Sequence, residues 1–152
     1  MMTLNDEFFN LARQLQQRQI DYAVVGGFAL AFHDIPRLTK DIDILIKPDD
    51  LESVVEMIEG LGYHASAPPW TFQKTRVTLH RFLKVEEPAY VFVDILAGHE
   101  AQHRTIIERA WEEPWADGVV KFASKEDLIW MKRQRGSDQD QVDIRRLQDD
   151  ED

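Results

Sequence analysis

The spacing of apolar and polar positions predicts two successive strand-and-helix units in the first half of the chain. Residues 6–19 carry apolar side chains at helical spacing, which predicts an amphipathic first helix. The apolar run 22–25 predicts a strand that ends at two glycines, and residues 28–33 predict a short buried helix after that turn. Residues 41–46 predict a second strand, and residues 48–60 predict a helix that begins at a proline.

The second half of the chain predicts two longer strands followed by helices. Residues 65–71 contain two adjacent prolines and predict a loop, whereas residues 77–85 alternate as one face of a strand. The nearly continuous apolar run 90–96 predicts a strand buried on both faces, with one carboxylate, Asp94, inside it. In the second of the three remaining helices, Ser124 with Asp127 three residues later resembles a capping box, and Gly136 ends the helix. These helices are predicted at residues 101–111, 124–135 and 139–147.

Together these elements predict an α/β or α+β fold with a mixed sheet of four to five strands flanked by helices. A chain of 152 residues can bury one core, so we expect a single domain over residues 1–148. Residues 149–152 are all acidic and predict a solvated, disordered tail.

Composition and charge narrow the classes of function. The chain has 18 basic and 28 acidic residues and a net charge of −10, which repels a phosphate backbone and argues against nucleic acid as a partner. It has no cysteine, which excludes thiolate metal sites and fits a reducing compartment. The sequence shows neither an export signal nor an apolar run of the roughly 18 residues that suggest a membrane span. We therefore expect a soluble, cytoplasmic protein without membrane contact.

Three aspartates in predicted strands are the main candidates for chemistry. Asp41 and Asp43 alternate with isoleucines, and their carboxylates emerge on one face, roughly 6.6 Å apart along the strand. Asp94 interrupts an apolar strand, where an ionised carboxylate is costly unless it is paired or bound to a metal. If the two strands are neighbours, the three carboxylates form an all-oxygen site that suits Mg²⁺. The alternative is a solvated strand end, with Asp94 paired to an arginine such as Arg81 or Arg37.

Gly26 and Gly27 lie between a predicted strand and a predicted helix, where glycine lets the backbone turn tightly and approach a ligand. The helix that follows would offer unpaired N–H groups to a phosphate. Two glycines after a strand serve equally well in a tight turn without a ligand. The functional interpretation therefore rests on the combination of this turn with the Asp-x-Asp strand that follows it.

The segment VVGGFALAFHDIPRLTKDIDILI contains that combination and resembles the signature of the DNA polymerase beta-like nucleotidyltransferase superfamily. Within it, Arg37-x-Thr39-x-Asp41-x-Asp43 is similar to the R-x-T-x-D-x-D variant of small bacterial members. Downstream, VFVDIL resembles the strand that carries their third carboxylate, and SKEDLIWMKRQRGSDQDQVDI is similar to the C-terminal segment of uncharacterised, abortive-infection or antitoxin-like members. The resemblance covers residues 20–147 and points to the small, minimal nucleotidyltransferases of bacteria and archaea.

The resemblance implies transfer of a nucleoside monophosphate from a nucleoside triphosphate to an acceptor, with release of pyrophosphate. It implies that Asp41, Asp43 and Asp94 are catalytic and bind Mg²⁺ or Mn²⁺. The implied nucleotide-binding residues are Gly26, Gly27, Arg37, Thr39 and Lys40, with Lys132 as a further candidate cation. The acceptor, a protein or a small molecule, and the base of the nucleotide are left open.

Two alternatives belong to other classes of function. Residues 99–103, HEAQH, fit the H-E-x-x-H pattern, which on a helix binds zinc through two histidines with Glu100 as general base. They lack the apolar helix that buries such a site. The other alternative is a non-catalytic or antitoxin-like protein that keeps the fold and binds a partner protein. The presence of all three aspartates favours catalysis over that alternative.

A third possibility keeps the same core and changes only the acceptor. It is a transferase that modifies a small molecule, of the aminoglycoside or lincosamide type. The loop 65–71, with Trp70, and the strand that begins near Thr75 would then shape the acceptor pocket. Trp70 serves equally well as an apolar anchor that pins the loop.

Overall fold

The described part of the chain, residues 1–116 and 118–149 of a computed structural model, folds into helices packed against one mixed sheet. Its helices are α1 (Leu4–Gln17), α2 (Gly26–Phe32), α3 (Leu51–Gly60), α4 (Ala101–Glu108), α5 (Lys125–Arg135) and α6 (Asp138–Asp149). Its strands are β1 (Tyr22–Val25), β2 (Asp41–Ile46), β3 (His64–Ala65), β4 (Trp70–Phe72), β5 (Val77–Glu86), β6 (Ala89–Gly98), β7 (Trp111–Trp115) and β8 (Gly118–Phe122). One 3₁₀ turn, Pro48–Asp50, leads into α3.

The order of the strands in the sheet is β3-β5-β6-β2-β1-β8-β7, and β4 pairs with β5 beside this path. Strand β2 runs antiparallel to β1 and parallel to β6, while β5 and β6 form a long antiparallel hairpin. Strand β8 lies parallel to β1 and carries β7 at the far edge. The two strands that bear the predicted aspartates, β2 and β6, are therefore direct neighbours in the middle of the sheet.

The alternation along β2 decides which face of the sheet carries the aspartates. Ile42 and Ile44 are buried on one face, whereas Asp41 and Asp43 emerge on the other. Burial of an isoleucine side chain is worth about 1.5–3 kcal/mol. A slip of one residue would bury the carboxylates and expose the isoleucines, so the apolar pattern itself fixes the register that presents Asp41 and Asp43.

Helix α5 begins and ends where the sequence predicts. Ser124 Oγ accepts a hydrogen bond from the backbone N of Asp127 at 3.1 Å, and Gly136 ends the helix in the left-handed conformation, with φ of 72°. The carboxylate of Asp127 does not return to the cap; it binds Arg109 at the end of α4. The serine cap and the glycine stop are confirmed, and the Arg109 ion pair additionally ties α5 to α4.

The prediction of four to five strands is wrong, because the described residues contain eight. Strands β3 and β4 occupy the two ends of the segment predicted as a loop, and β7 and β8 form a hairpin that the sequence analysis did not predict. Strand β7 is mostly exposed and includes Pro114, so it lacks the apolar alternation of a half-buried strand. The helix predicted at 101–111 correspondingly ends at Glu108.

Two expectations concern the chain as a whole. Of the predicted acidic tail, Asp149 is the last residue of α6, and residues 150–152 lie outside the described residues. Across 1–116 and 118–149, no helix combines the length and the apolar character that crossing a membrane requires.

Candidate active site

The pairing of β2 with β6 brings the three predicted aspartates to one side of the sheet. Asp43 and Asp94 are direct partners across this parallel pair, and Asp41 lies two residues before Asp43 on the same face. Asp94 is buried, with 7% of its surface exposed, whereas Asp41 is half-buried. The side chains of Asp43 and Asp94 also lie within hydrogen-bonding reach of each other. The sequence pattern thus corresponds to a real cluster of carboxylates.

Arg81 of β5 supplies positive charge to this cluster. It is the cross-strand partner of Asp94, and its Nε and Nη2 donate to the two oxygens of that carboxylate at 2.8 and 3.0 Å. Nη2 also donates to Oδ2 of Asp41 at 3.0 Å. The guanidinium lies over the ring of Phe92, 4.8 Å from its centroid. An arginine partner for Asp94 is the alternative to a metal that the sequence leaves open, and the structure shows that ion pair.

The ionised form of Asp43 is disfavoured in this cluster. Burial, followed by the charges of Asp94 and Asp41, raises the pKa of Asp43 from 3.8 to about 7, and the positive charge of Arg81 offsets only part of this. One guanidinium therefore faces three carboxylates. Such an excess of negative charge is relieved either by a proton on Asp43 or by a bound cation.

The donor set fits a hard divalent cation, although the side chains do not form a ready site as they stand. Carboxylate oxygens are the ligands that Mg²⁺ and Mn²⁺ prefer. Among the residues that the structure describes, no three His, Asp or Glu side chains are grouped so as to hold a metal. Arg81 engages Asp41 and Asp94, so a cation can reach all three aspartates only if the guanidinium moves.

The two glycines after β1 allow the backbone to approach this cluster closely. Gly26 has a φ of 68°, in the left-handed region, and a Cβ at this position would lie 2.0 Å from Oδ2 of Asp43. A Cβ on Gly27 would lie 3.1 Å from Oγ1 of Thr39. At Gly26 the absence of a side chain is therefore required both by the backbone conformation and by the space that Asp43 occupies, whereas at Gly27 a Cβ would be in tight contact with Thr39.

The cations predicted near the triphosphate are not gathered at one point. Arg37 donates to Asp143 at 2.6 Å, and Lys132 donates to the same oxygen at 3.0 Å. The hydroxyl of Thr39 donates to the backbone carbonyl of Arg37 at 3.4 Å, and Lys40 is exposed. Of these four residues, Lys132 lines the cleft that contains Asp43.

A buried ion-pair network behind the cleft was missed in the sequence. Asp140 and Asp143 of α6 are both buried. Arg135 donates two hydrogen bonds to Asp140, while Arg37 and Lys132 donate to Asp143. Burial alone would raise the pKa of Asp140, but its hydrogen bonds, first among them those from Arg135, hold that pKa well below its ordinary value. The signal in the sequence that could have predicted this network is the spacing of Asp140 and Asp143, because residues three apart share a helix face.

A cleft of about 290 Å³ opens between the aspartate face of the sheet and α5. Gly26, Asp43 and Asp94 line one part of it. Helix α5 contributes Leu128, Trp130, Met131, Lys132, Gln134 and Arg135 to the opposite wall. Trp70, which the sequence singled out for this region, is 64% exposed on β4, whereas Phe72 lines the cleft.

The HEAQH segment does not form the zinc site that its pattern suggests. Helix α4 begins at Ala101, with Glu100 as its cap, so His99 lies before the helix and not one turn ahead of His103. The Nε2 of His99 bonds to the hydroxyl of Thr78 at 2.8 Å. His103 is buried, and its Nδ1 accepts from the backbone N of Glu100 at 3.0 Å. Both histidines have structural partners, and the zinc hydrolase alternative is therefore rejected.

Residues 2–135 match a protein family described as uncharacterised nucleotidyltransferase. The chain belongs to this family. The match spans β1, the two glycines, β2 and β6, so it includes every element that builds the aspartate cluster. None of the curated proteins matches the chain at a significant level.

Solved structures confirm the nucleotidyltransferase fold. The crystal structure of TM1012 from Thermotoga maritima, described as a candidate nucleotidyltransferase, is 11% identical over 97% of this chain and 96% of that protein, with a TM-score of 0.64. The solution structure of the antibiotic-resistance factor ANT(2'')-Ia is 16% identical over 97% of this chain and 83% of that protein, with a TM-score of 0.59. A crystal structure of ANT(2'')-Ia in complex with adenylyl-2''-tobramycin is 14% identical over 93% and 85%, with a TM-score of 0.55. At these identities the similarity concerns the fold.

Proposed function

We propose that this nucleotidyltransferase transfers a nucleoside monophosphate from a nucleoside triphosphate to an acceptor, with Mg²⁺ or Mn²⁺ as cofactor. The observation that carries the proposal is the register of β2 and β6, which sets Asp43 opposite Asp94 beside the backbone of Gly26. A second support is the excess of carboxylates over cations in this cluster, which raises the pKa of Asp43. Membership of the family supports nucleotidyl transfer as the class of reaction, and the aspartate cluster is the proposed site of that reaction.

Each part of the site has a role in this proposal. Asp41, Asp43 and Asp94 would hold the divalent cation, which when bound would supply neutralisation of phosphate charge. Gly26 and Gly27 let the triphosphate approach the backbone next to these carboxylates. A hydroxyl or amine of the acceptor attacks the α-phosphorus and gives its proton to Asp94, while the bond to the bridging oxygen breaks and pyrophosphate leaves with the electron pair.

The acceptor is either a small molecule or a partner protein, and we place the reaction in the cytoplasm. The complex of ANT(2'')-Ia with adenylyl-2''-tobramycin supports a small-molecule acceptor for this fold. The resemblance to antitoxin-like members supports a protein acceptor. The net charge of −10 disfavours nucleic acid in either case.

A non-catalytic, partner-binding protein is the second candidate function. The observation that favours it is Arg81, whose guanidinium already satisfies both oxygens of Asp94 and one oxygen of Asp41. If Arg81 never leaves the carboxylates, the chain keeps the fold without metal chemistry. The two candidates therefore differ in whether a metal and a nucleotide stabilise the protein together.

Thermal unfolding of the purified protein with each of ATP, GTP, CTP and UTP, with and without Mg²⁺, tests the proposal without knowledge of the acceptor. A ligand at one hundred times its dissociation constant adds ~2.7 kcal/mol of stability, which corresponds to a rise of about 5 °C or more in a domain of this size. We expect a Mg²⁺-dependent rise with at least one nucleotide. The rise should disappear in Asp43→Asn and persist in Asp49→Asn, which changes a surface carboxylate. No rise with any nucleotide would support the non-catalytic candidate.

A further inference from the structure

An apolar strip continues from the aspartate cluster along the same face of the sheet. The pair Arg81 and Asp94 is followed, two residues along each strand, by the pair Leu79 and Leu96. Since residues two apart share a face and lie roughly 6.6 Å apart, the leucines stand directly beside the carboxylate end of the cleft. Both leucines are only partly buried, and both line the cleft.

The strip extends further and has an apolar cover. Val77, the next residue on this face of β5, pairs with Phe72 of β4, and both line the cleft. From the other side, α5 places Leu128 and Met131 against the same space. Buried and partly exposed apolar side chains that face each other across a cleft of about 290 Å³ form the small, apolar kind of pocket that binds a ligand of one or two rings.

We infer that this strip binds the acceptor, and that the acceptor presents an uncharged aromatic or branched aliphatic group beside its nucleophile. The inference rests on the proposed function and names the class of acceptor for it.

The order of the strands assigns the strip to the acceptor and not to the nucleotide. Gly26 follows β1, and the sheet runs from β1 through β2 and β6 to β5. Leu79 is on β5, one strand beyond Asp94, so it lies on the opposite side of Asp43 and Asp94 from the triphosphate that the proposed function places at the glycines, while Leu96 lies two residues along β6 from Asp94. The reacting phosphorus stands between the glycines and Leu79, as the attack of an acceptor requires.

The charges that line the cleft argue against a polycationic acceptor. Among the described residues that line it, the acids are Asp43 and Asp94, which the proposed cofactor would use, whereas Lys132 and Arg135 are cations of α5 that Asp143 and Asp140 already pair. No acidic side chain of the described lining is left to pair with several amines. An uncharged ring or branched chain matches the leucine strip, and a polyamine does not.

Binding of 2-naphthol, a fluorescent probe with two rings and a hydroxyl group, tests the inference by fluorescence titration. We expect saturable binding to the wild-type chain, weakened about tenfold or more in Leu79→Asn. Val85→Asn, an exposed position on the same strand, is the matched control and should bind the probe as the wild type does. Equal binding to the wild type and Leu79→Asn, or no binding to the wild type, would overturn the inference.

The same titration in the presence of Mg²⁺ and a saturating, non-hydrolysable triphosphate separates the acceptor from the nucleobase. Unchanged or tighter binding of 2-naphthol supports an acceptor pocket beside an occupied nucleotide site. Competitive displacement by the triphosphate would assign the strip to the base and overturn the inference while leaving the proposed function intact. A wild-type chain that no nucleotide stabilises would instead overturn the proposed function, and the acceptor assignment with it.

Discussion

Arg81 and Asp94 face each other across the β5–β6 pair, and the guanidinium donates to both oxygens of the carboxylate at 2.8 and 3.0 Å. The same guanidinium reaches Asp41, so one side chain neutralises two of the three aspartates. A divalent cation held by the same oxygens would take over this neutralisation. Arg81 and a bound cation would thus compete for the same carboxylates, and single substitutions test this competition.

Replacement of Arg81 by methionine removes this internal cation while it keeps an unbranched side chain. We expect the metal-free variant to lose about 1–3 kcal/mol of stability, less than a fully buried ion pair would lose because Arg81 is partly exposed. Added Mg²⁺ should recover more of the melting temperature in the variant than in the wild type. Arg76→Met, which removes an exposed partner of Glu100, is the control and should respond to Mg²⁺ as the wild type does. A deficit in Arg81→Met that Mg²⁺ leaves unchanged would argue against competition.

The raised pKa of Asp43 predicts how the stability of the metal-free protein depends on pH. The folded protein holds a proton on Asp43 up to about pH 7, whereas the unfolded chain releases it near 3.8. Asp43 therefore costs stability progressively as the pH rises from about 4 to 7, and the cost is complete above pH 7. Asp43→Asn removes it, so the variant should be more stable than the wild type by on the order of 2 kcal/mol at pH 8.

Urea unfolding at pH 4 and pH 8, with a chelator present, measures this effect. The two proteins should differ little at pH 4 and diverge at pH 8. An Asp43→Asn variant that is less stable than the wild type at pH 8 would show that Asp43 is not strained in the absence of metal.

Gly26 should tolerate no side chain. Alanine in the left-handed conformation costs about 1–2 kcal/mol, and its Cβ would additionally collide with the carboxylate of Asp43. We expect Gly26→Ala to lose the nucleotide-dependent rise in melting temperature and to lose stability. Gly60→Ala is the control, because a Cβ there meets nothing within 4 Å and helix α3 should tolerate alanine. If nucleotide stabilises Gly26→Ala as much as the wild type, the glycine turn is not part of the nucleotide site.

The lowered pKa of Asp140 predicts that its ion pair with Arg135, behind the cleft, stabilises the fold less at acid pH. Its ion pair with Arg135 is intact above the pKa of the unfolded chain, 3.8, and is lost as the pH falls toward the lower folded pKa. At neutral pH, Asp140→Asn should cost about 1–3 kcal/mol, since Asp140 is buried and Arg135 loses its charged partner. Below pH 4, the variant should lose less stability than the wild type as the pH falls.

Asp138→Asn provides the control for this prediction, because Asp138 is exposed on the first turn of the same helix. Chemical unfolding at pH 3, 4 and 7 measures all three proteins. Parallel loss of stability in Asp140→Asn and the wild type below pH 4 would show that the ion pair does not titrate as described.

Most of the elements that bury an apolar face could be predicted from the sequence, and those that depend on pairing could not. Strand β2 is predicted by the alternation of Asp41, Ile42, Asp43 and Ile44, and β6 is predicted by its apolar run around Asp94. Strand β7 carries no such pattern, because it is an exposed edge whose pairing rests on backbone hydrogen bonds to β8. Periodicity therefore locates β2 and β6 and misses the exposed edge strand β7, and it also misses β8, a short interior strand that buries Val120 and Phe122.

The candidate site shows the same limit. The three aspartates could be predicted from the sequence because their spacing and apolar neighbours are local features. The choice of Arg81 as the partner of Asp94 depends on the register of β5 against β6, and the pairing of Arg37 with Asp143 joins residues that are 106 positions apart. Contacts of this kind follow from the assembled sheet and helices and are not encoded in any short segment.

We predict that Asp41, Asp43 and Asp94 bind a divalent cation together with a nucleotide, and that Arg81 moves away from Asp41 when they do. A crystal structure of the protein grown with Mn²⁺ and a non-hydrolysable nucleoside triphosphate tests it most directly, because Mn²⁺ has an anomalous signal. We expect an anomalous peak at the three carboxylates, the triphosphate beside Gly26, and the guanidinium of Arg81 withdrawn from Asp41. Arg81 still bridging Asp41 and Asp94, with no peak between the aspartates at saturating Mn²⁺ and nucleotide, would contradict it.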